Sequence, residues 1–360
     1  MPVTGQAIDE LGLTSEEEPP GPDNPRPRRV LRRVLIAVAI VLGLALASVV
    51  GFVGFLGYTV NDNVTQENLL PDPGVAITAP DGTVIPPAAE GVEGVAGTGT
   101  NVLLIGTDGR TATDRGRSDV IILVHVPADP TSVQMIHFPR DLFVSIPGHG
   151  KNKINAAYAF GGEPLLVQTL QNLLGVRIDH VARTDFDGFE NMVDAVGGVR
   201  VYAEEASNGQ GNGGPTVITE GWNELDGGEA LDFVRERYQL SQGDISRGRR
   251  QLALVKALLL EATSKQTLTN PVKIARLTDA ATKNLTVDQN LSLADLKDYA
   301  LELRGLRGGD IVFATAPYTG FGTDPVAGSI DIVDQPKMEL LGEALRTDTM
   351  DEYLDVFVTP

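Results

Sequence analysis

Between Val34 and Asn61 the chain runs for 28 residues without a charged side chain, most of them Val, Leu, Ala, Ile, Gly or Phe. A helix needs about 20 such residues to cross a bilayer, so the run predicts one transmembrane helix over 34–58. Arg26, Arg28, Arg29, Arg32 and Arg33 precede it, and no Lys or Arg follows until Arg110. The positive-inside rule then puts residues 1–33 in the cytoplasm and the bulk of the chain outside. A cleaved signal peptide fits less well, because about 30 residues precede the run and it is long for the apolar region of a leader.

The flanks divide the rest. Residues 1–33, with Glu16, Glu17, Glu18 and a Pro-rich stretch, read as a disordered cytoplasmic tail too short for a helix-turn-helix domain. Residues 59–99, rich in Pro, Gly, Ala and Thr, read as an extracytoplasmic stalk. The main domain is expected over 100–350. The 360-residue chain has no Cys, which excludes disulfide staples and thiolate zinc sites. Its formal charge of −19 argues against nucleic acid as a partner. Basic residues clustered inside so acidic a chain point to a local anion.

The apolar runs at 101–105 and 120–126 predict buried central strands, with further strands near 132–138, 180–185, 198–203 and 311–315. Helical spacing predicts helices over 164–174, 186–196, 247–262, 292–304 and 336–346. Strands and helices alternate, so the expected class is α/β, with helices on both faces of the sheet.

Short Asp- and Arg-bearing motifs sit at the ends of these elements. Asp108 follows the first central strand and Asp119 heads the second. If the two strands are antiparallel neighbours, both carboxylates reach the same end of the sheet, where one Mg²⁺, or Mn²⁺, can bridge them to a phosphate. Arg140, in FPRD, follows a third strand, and its guanidinium fork matches phosphate oxygens; Asp141 can hold that guanidinium or cap a turn. Lys153 and Asn155 offer further donors. In VRER, read as a strand, Arg235 and Arg237 share one face, a repulsive arrangement unless an anion lies between them. Asp244, Arg247, Arg250 and Gln251 straddle a helix start, with the last three on one face. Arginines there oppose the helix dipole, a cost that a bound phosphate offsets.

Other signals carry less. DFDGFE at 185–190 lacks the rest of a calcium loop. The Gly-rich 209–215 has no GK[ST] and reads as a mobile surface loop. His125 and His137 lie in apolar strands and read as core histidines, and no Gly-x-Ser-x-Gly elbow is present.

The order and spelling of these motifs resemble the LytR-CpsA-Psr family of membrane-anchored envelope proteins. The resemblance rests on NVLLIGTDGR, GRSD, PRD, KINAAYAFGG, DFDGFENMVDAVGGV, LDGGEALDFVRER and DISRGRRQ, and spans about 100–263. It implies a three-layer α-β-α sandwich with a central mixed sheet and an apolar channel for a polyprenyl tail. It also implies a phosphotransferase that moves a glycopolymer from undecaprenyl diphosphate to a muramic acid hydroxyl of peptidoglycan. By motif position Asp108 and Asp119 are the magnesium ligands. Arg117, Arg140, Arg235, Arg237 and Arg247 are the diphosphate clamp, and Asp244 and Gln251 occupy further site positions. The leucines of helices 164–174 and 247–262 offer a slot for the tail between them, though core packing is the safer account of them. Two other classes compete: a lipid-diphosphate binding or phosphatase module in which water replaces the sugar, and an envelope-linked transcriptional regulator. Loops such as 204–220 are where donor specificity is expected.

Overall fold

The computed structural model describes residues 47, 48, 50–72, 74–78, 82–85, 99–107, 118–129, 131–292, 294, 295, 298, 299 and 308–357. Residues 50–63 are helical (α1). Among the described residues no helix is long and apolar enough to cross a membrane. The predicted span at 34–58 has residues 34–46 and 49 outside that set.

The segment expected to be a stalk belongs in part to the domain. Thr65–Glu67 (β1) pairs in parallel with Thr286–Asp288, while Ile77–Thr78 (β2) and Val84–Ile85 (β3) form a small hairpin. Leu69 and Ile85 are 2% and 0% exposed within the main core. Stalk-like composition hid two core anchors, because isolated apolar residues among Pro and Gly carry no period.

Thr100–Thr107 (β4) and Ser118–Val126 (β5) are antiparallel neighbours, as expected, and Thr107 stands opposite Ser118. Val133–His137 (β6) pairs antiparallel with β5. Leu142–Ile146 (β7) and Gly150–Lys153 (β8) form a hairpin that leads into the helix Ile154–Leu174 (α2). His180–Asp185 (β9) lies parallel to β4 and is followed by Phe186–Val196 (α3), whose N-cap Asp185 accepts from the Gly188 amide. Beyond it, Val199–Ala203 (β10) pairs with Gly221–Leu225, and Ser207–Asn208 (β11) with Val217–Ile218 (β12); the strand 221–225 is β13. Next come the helices Gly227–Arg235 (α4), Asp244–Ala262 (α5), Lys265–Leu268 (α6) and Pro271–Lys283 (α7). The segment 286–288 is β14, Ile311–Thr315 (β15) runs parallel to β6, and Tyr318–Asp324 (β16) and Gly328–Val333 (β17) precede the last two helices, Gln335–Thr347 and Met350–Phe357.

The main sheet is mixed, seven-stranded and ordered β1-β14-β9-β4-β5-β6-β15. Alternation along β5 divides its two faces. Ile121 and Leu123 join Leu165, Leu166 and Leu170 of α2, whereas Ile122 and Val124 face Leu252, Val255 and Leu259 of α5. This is the expected three-layer sandwich. It also removes the tail slot between helices 164–174 and 247–262 and bears out core packing for the α2 leucines, because those helices lie on opposite faces of the sheet and Leu165, Leu166 and Leu170 are fully buried. Each such leucine contributes about 1.5–3 kcal/mol by burial.

Four strands, β4, β6, β9 and β15, run in one direction and β5 in the other. One edge of the sheet therefore collects Thr107, Asp119, the residues after His137, and Asp185.

Several elements differ from expectation. Helix α2 begins ten residues earlier than predicted, because the Gly-Gly-Glu-Pro sequence marks a kink and not a start. Gly162 adopts φ 67° and ψ −158°, which bends the helix ahead of Pro164, where an unbroken helix would clash. The helix α4 stands where VRER was read as a strand. Its Asp226 side chain accepts from the Glu229 amide at 2.9 Å and Glu229 accepts from the Asp226 amide at 3.1 Å, a reciprocal cap. The four-stranded sheet β16-β17-β7-β8 was not anticipated.

Candidate functional site

At the strand edge the third predicted strand ends and Arg140 turns back to Asp119, donating from Nη1 to Oδ1 at 2.7 Å with both side chains largely covered. Asp141 pairs with Lys153 Nζ at 3.0 Å. A cleft of about 630 Å³ opens here. Arg140, Lys153 and Arg237 supply its cations, Asp141 and Asp331 its carboxylates, and Asn155 an amide; Ala156, Ala159, Phe160, Ile245 and Phe321 give it an apolar wall.

The remaining sequence-predicted residues divide into three sets. Asp108 and Arg117 lie outside the described residues, although Thr107 and Ser118 beside them are paired across the strand edge. Arg235 ends α4 and Arg237 lies in the following turn, so the common strand face expected for them is replaced by a helix terminus and a loop. Asp244 is the first residue of α5, preceded by Gly243 on the cleft wall. Arg247 and Gln251 are buried, 8% and 5% exposed, along the same helix.

Whether a magnesium ion suits this site turns on its oxygen donors. Asp119 offers a hard carboxylate at the strand edge, which fits an ion that takes one or two carboxylates and completes its shell with water and phosphate. Among the described residues no group of three His, Asp or Glu side chains gathers to hold a metal alone. Asp119 thus leaves the rest of such a shell to other donors, water and substrate oxygens among them.

Residues 87–347 match the model of the LytR_cpsA_psr family. The chain belongs to this family. It is 37% identical over 265 residues to the probable cell wall biosynthesis protein LcpB of Corynebacterium glutamicum, covering 69% of this chain and 61% of that one. It is 38% identical over 198 residues to the polyisoprenyl-teichoic acid–peptidoglycan teichoic acid transferase TagU of Oceanobacillus iheyensis, covering 53% and 59%. In both, less than two thirds of the relative is spanned. The family member YwtF (TagT), solved with bound octaprenyl pyrophosphate lipid, superposes with a TM-score of 0.54 at 28% identity, covering 70% of this chain and 91% of that one.

Within this family framework, the turn that carries Arg237 is built by a residue that sequence reading passed over. Glu236 is 3% exposed, and its carboxylate accepts from the amides of Arg237, Tyr238 and Gln239 at 2.8, 2.8 and 3.2 Å and from Gly213 at 3.2 Å. Asn212 closes the same turn, donating to the Arg235 carbonyl at 2.9 Å and accepting from the Arg237 amide at 3.0 Å. The Gly-rich stretch 209–215 is at the surface, as expected, with Gln210, Asn212 and Pro215 exposed, but Gly213 is buried and ties it to the end of α4. A Cβ on Gly213 would stand 2.4 Å from the Asp232 carbonyl oxygen, so only glycine lets the loop close on the end of α4. Burial opposes ionisation of Glu236, but the amide bonds outweigh it and hold its carboxyl below the usual range. A carboxylate depressed in this way stabilises the fold above its unfolded value of about 4.5, and the contribution is lost as pH falls through the folded value. Glu236→Gln is expected to lower the melting temperature at pH 7 and to flatten its fall on acidification; an unchanged acid limb would contradict this.

Arg250, expected on one helix face with Arg247 and Gln251, is spent on the fold. It donates to the Glu205 carbonyl at 2.6 Å and to Ser207 Oγ at 3.2 Å, and lies over the Phe233 ring at 4.7 Å. The histidines are core groups as expected: His125 bonds Asn101 and Asp348 at 2.9 and 3.0 Å. His137, enclosed beneath Gly248, is pushed down to about 4 by burial and by the nearby Arg247 guanidinium. Because the unfolded chain binds this proton near pH 6.5, stability is fully present above 6.5 and declines as pH falls toward 4. The loss amounts to about 3 kcal/mol at most. His137→Gln is expected to remove that slope; chemical denaturation at pH 7 and pH 5 checks it.

Proposed function

We propose that this chain transfers a glycopolymer from undecaprenyl diphosphate to peptidoglycan through a new phosphodiester bond, as a single-pass membrane protein with its N-terminus in the cytoplasm and this domain outside. The observation that carries the reading is the pairing of Arg140 with Asp119 and of Lys153 with Asp141 beside Arg237, at one cleft on the sheet edge. Guanidinium and ammonium groups already balanced by carboxylates are preorganised for the extra charge of a diphosphate. The octaprenyl pyrophosphate in the related YwtF structure and the transferase name of TagU support the same chemistry.

In this mechanism a sugar hydroxyl attacks the sugar-side phosphorus, the bridging P–O bond breaks, and undecaprenyl phosphate leaves. Arg140 and Arg237 hold the equatorial and leaving oxygens as their charge grows, and Lys153 adds a third cation to the wall. Arg117, Arg235, Arg247 and Gln251 are assigned to the same clamp. The hydroxyl proton passes to a carboxylate, for which Asp141 on the cleft wall and Asp244 at the head of α5 are the candidates. Magnesium or manganese, held by Asp119 with Asp108, would neutralise charge on the diphosphate oxygens. The Ala156–Phe160 wall suits the first isoprene units of the lipid. Hydrolysis of the diphosphate is the side reaction when water takes the place of the sugar.

Full-length protein in detergent, incubated with a synthetic lipid-linked sugar and an uncross-linked peptidoglycan oligomer, is expected to join sugar to glycan. Release of the sugar or its phosphate alone, at saturating acceptor, would favour the phosphatase reading instead.

A further inference from the structure

A second cleft of about 660 Å³ opens at the carboxyl ends of β4 and β9, parallel neighbours that end at Thr107 and Asp185. Crevices outside the carboxyl ends of parallel strands are recurrent ligand sites in α/β sheets, and this volume falls in the range of small-molecule pockets. The start of α2 separates it from the first cleft. Asn155, Ala156, Ala159 and Phe160 face the first, whereas Tyr158, Gly161, Gly162 and Glu163 line the second.

Its polar groups are built into the fold. Arg183 of β9 pairs with the Glu163 carboxylate, lies 3.3 Å from Glu67 and donates to Thr286 Oγ1 at 3.4 Å, while the Tyr158 hydroxyl donates to Glu163 at 3.4 Å. The Glu163 side chain is 9% exposed. A covered ion pair is a poor stabiliser relative to apolar packing, so its presence in a cavity wall points to use by a ligand. The charge balance differs from that of the first cleft. There, three cations face Asp141 and Asp331; here, Arg183 and Lys283 face Glu67, Glu163 and Asp185. Such a wall does not favour an anion. Alternating donors and acceptors suit a neutral molecule rich in hydroxyl and amide groups.

We propose that this second cleft binds the acceptor, an N-acetylhexosamine unit of a glycan strand. Both clefts border the same sheet edge: Thr107, which lines the second, stands opposite Ser118, next to Asp119, whose partner Arg140 lines the first. A sugar seated on Glu163 and Arg183 would present its hydroxyl past Thr107 to the phosphorus. The assignment rests on the transferase reading for the hydroxyl's destination, and the saccharide site itself is testable without it.

Full-length protein in detergent micelles, with no donor lipid, is titrated with a peptidoglycan tetrasaccharide and followed by saturation-transfer NMR. Glu67→Trp and Lys283→Trp, both at exposed rim positions, obstruct the cleft without touching the core. Binding by the parent chain, weakened about tenfold in either variant, is the expected result, as is an acceptor KM raised about tenfold with the donor KM unchanged. Arg183→Lys, which keeps the charge but not the fork, is expected to show the same split. No binding of the tetrasaccharide would overturn the proposal. So would rim variants that raise the KM for the lipid donor and leave the acceptor KM alone. If the tetrasaccharide binds and the rim variants weaken it, yet no acceptor is ever modified, the saccharide site stands and the transferase reading fails.

Discussion

Arg237→Ala is expected to lower transfer roughly 100- to 1,000-fold, the usual cost of one preorganised contact to transition-state charge, while the melting temperature barely moves. The separation follows from how the turn is held. The Arg237 amide bonds Asn212 and Glu236 at 3.0 and 2.8 Å, and both bonds survive truncation of the side chain. What is lost is the guanidinium on the cleft wall, together with its bond to the Tyr238 hydroxyl at 2.7 Å and its contact with that ring. Arg235→Ala should lose activity to a similar degree. Its stability cost is about 0.3–1 kcal/mol, because a cation in the last turn of α4 favours the helix dipole. A variant that melts much earlier but keeps its specific activity when folded would make these arginines structural.

The second large effect is at the strand edge. Asp119→Ala should bring transfer close to background and abolish any response to added Mg²⁺, since it deletes a proposed metal ligand and the carboxylate that orients Arg140 at 2.7 Å. Asp119→Asn keeps the shape and a hydrogen-bond acceptor for Arg140 but not the charge. It therefore separates the two contributions: if orientation alone matters, Asn restores much of the rate, and if charge toward a metal matters, it does not. Parent-chain activity that survives thorough chelation would remove the metal from the account and leave the arginines to carry it.

How much of this was legible in the sequence follows from what each element buries. β4 and β5 carry apolar residues on both faces because helices cover both, and so they read as continuous runs. The strand β16, with Gly and polar residues interleaved in YTGFGTD, packs one face only and leaves no such run. The start of α4 was written in the sequence as Asp226 and Glu229 three apart, a cap signal overshadowed by the pairing of Arg235 with Arg237. Of the residues singled out by motif position, Arg140, Lys153 and Arg237 line the cleft, and their pairing was not legible. Arg140 closes on Asp119, 21 residues back, a partner brought within reach by strand pairing. Asp331 reaches the same cleft from β17, and a lone aspartate in GSIDIV offers no local sign of that. Glu236 carries no signal of its own in VRER. Its burial depends on the loop 209–215 folding back over α4, which local pattern does not encode.

The central claim is that the sugar-side phosphorus leaves the lipid and becomes the bridge to the acceptor glycan. The most direct test is a single-turnover reaction with a lipid-linked sugar carrying ³²P only at that phosphorus, run with the full-length protein and a saturating peptidoglycan oligomer. The label is predicted in the glycan product, resistant to phosphomonoesterase, with unlabelled polyprenyl phosphate released in equal amount. Label that stays with the polyprenyl phosphate, or that appears only as free sugar phosphate, would contradict the account.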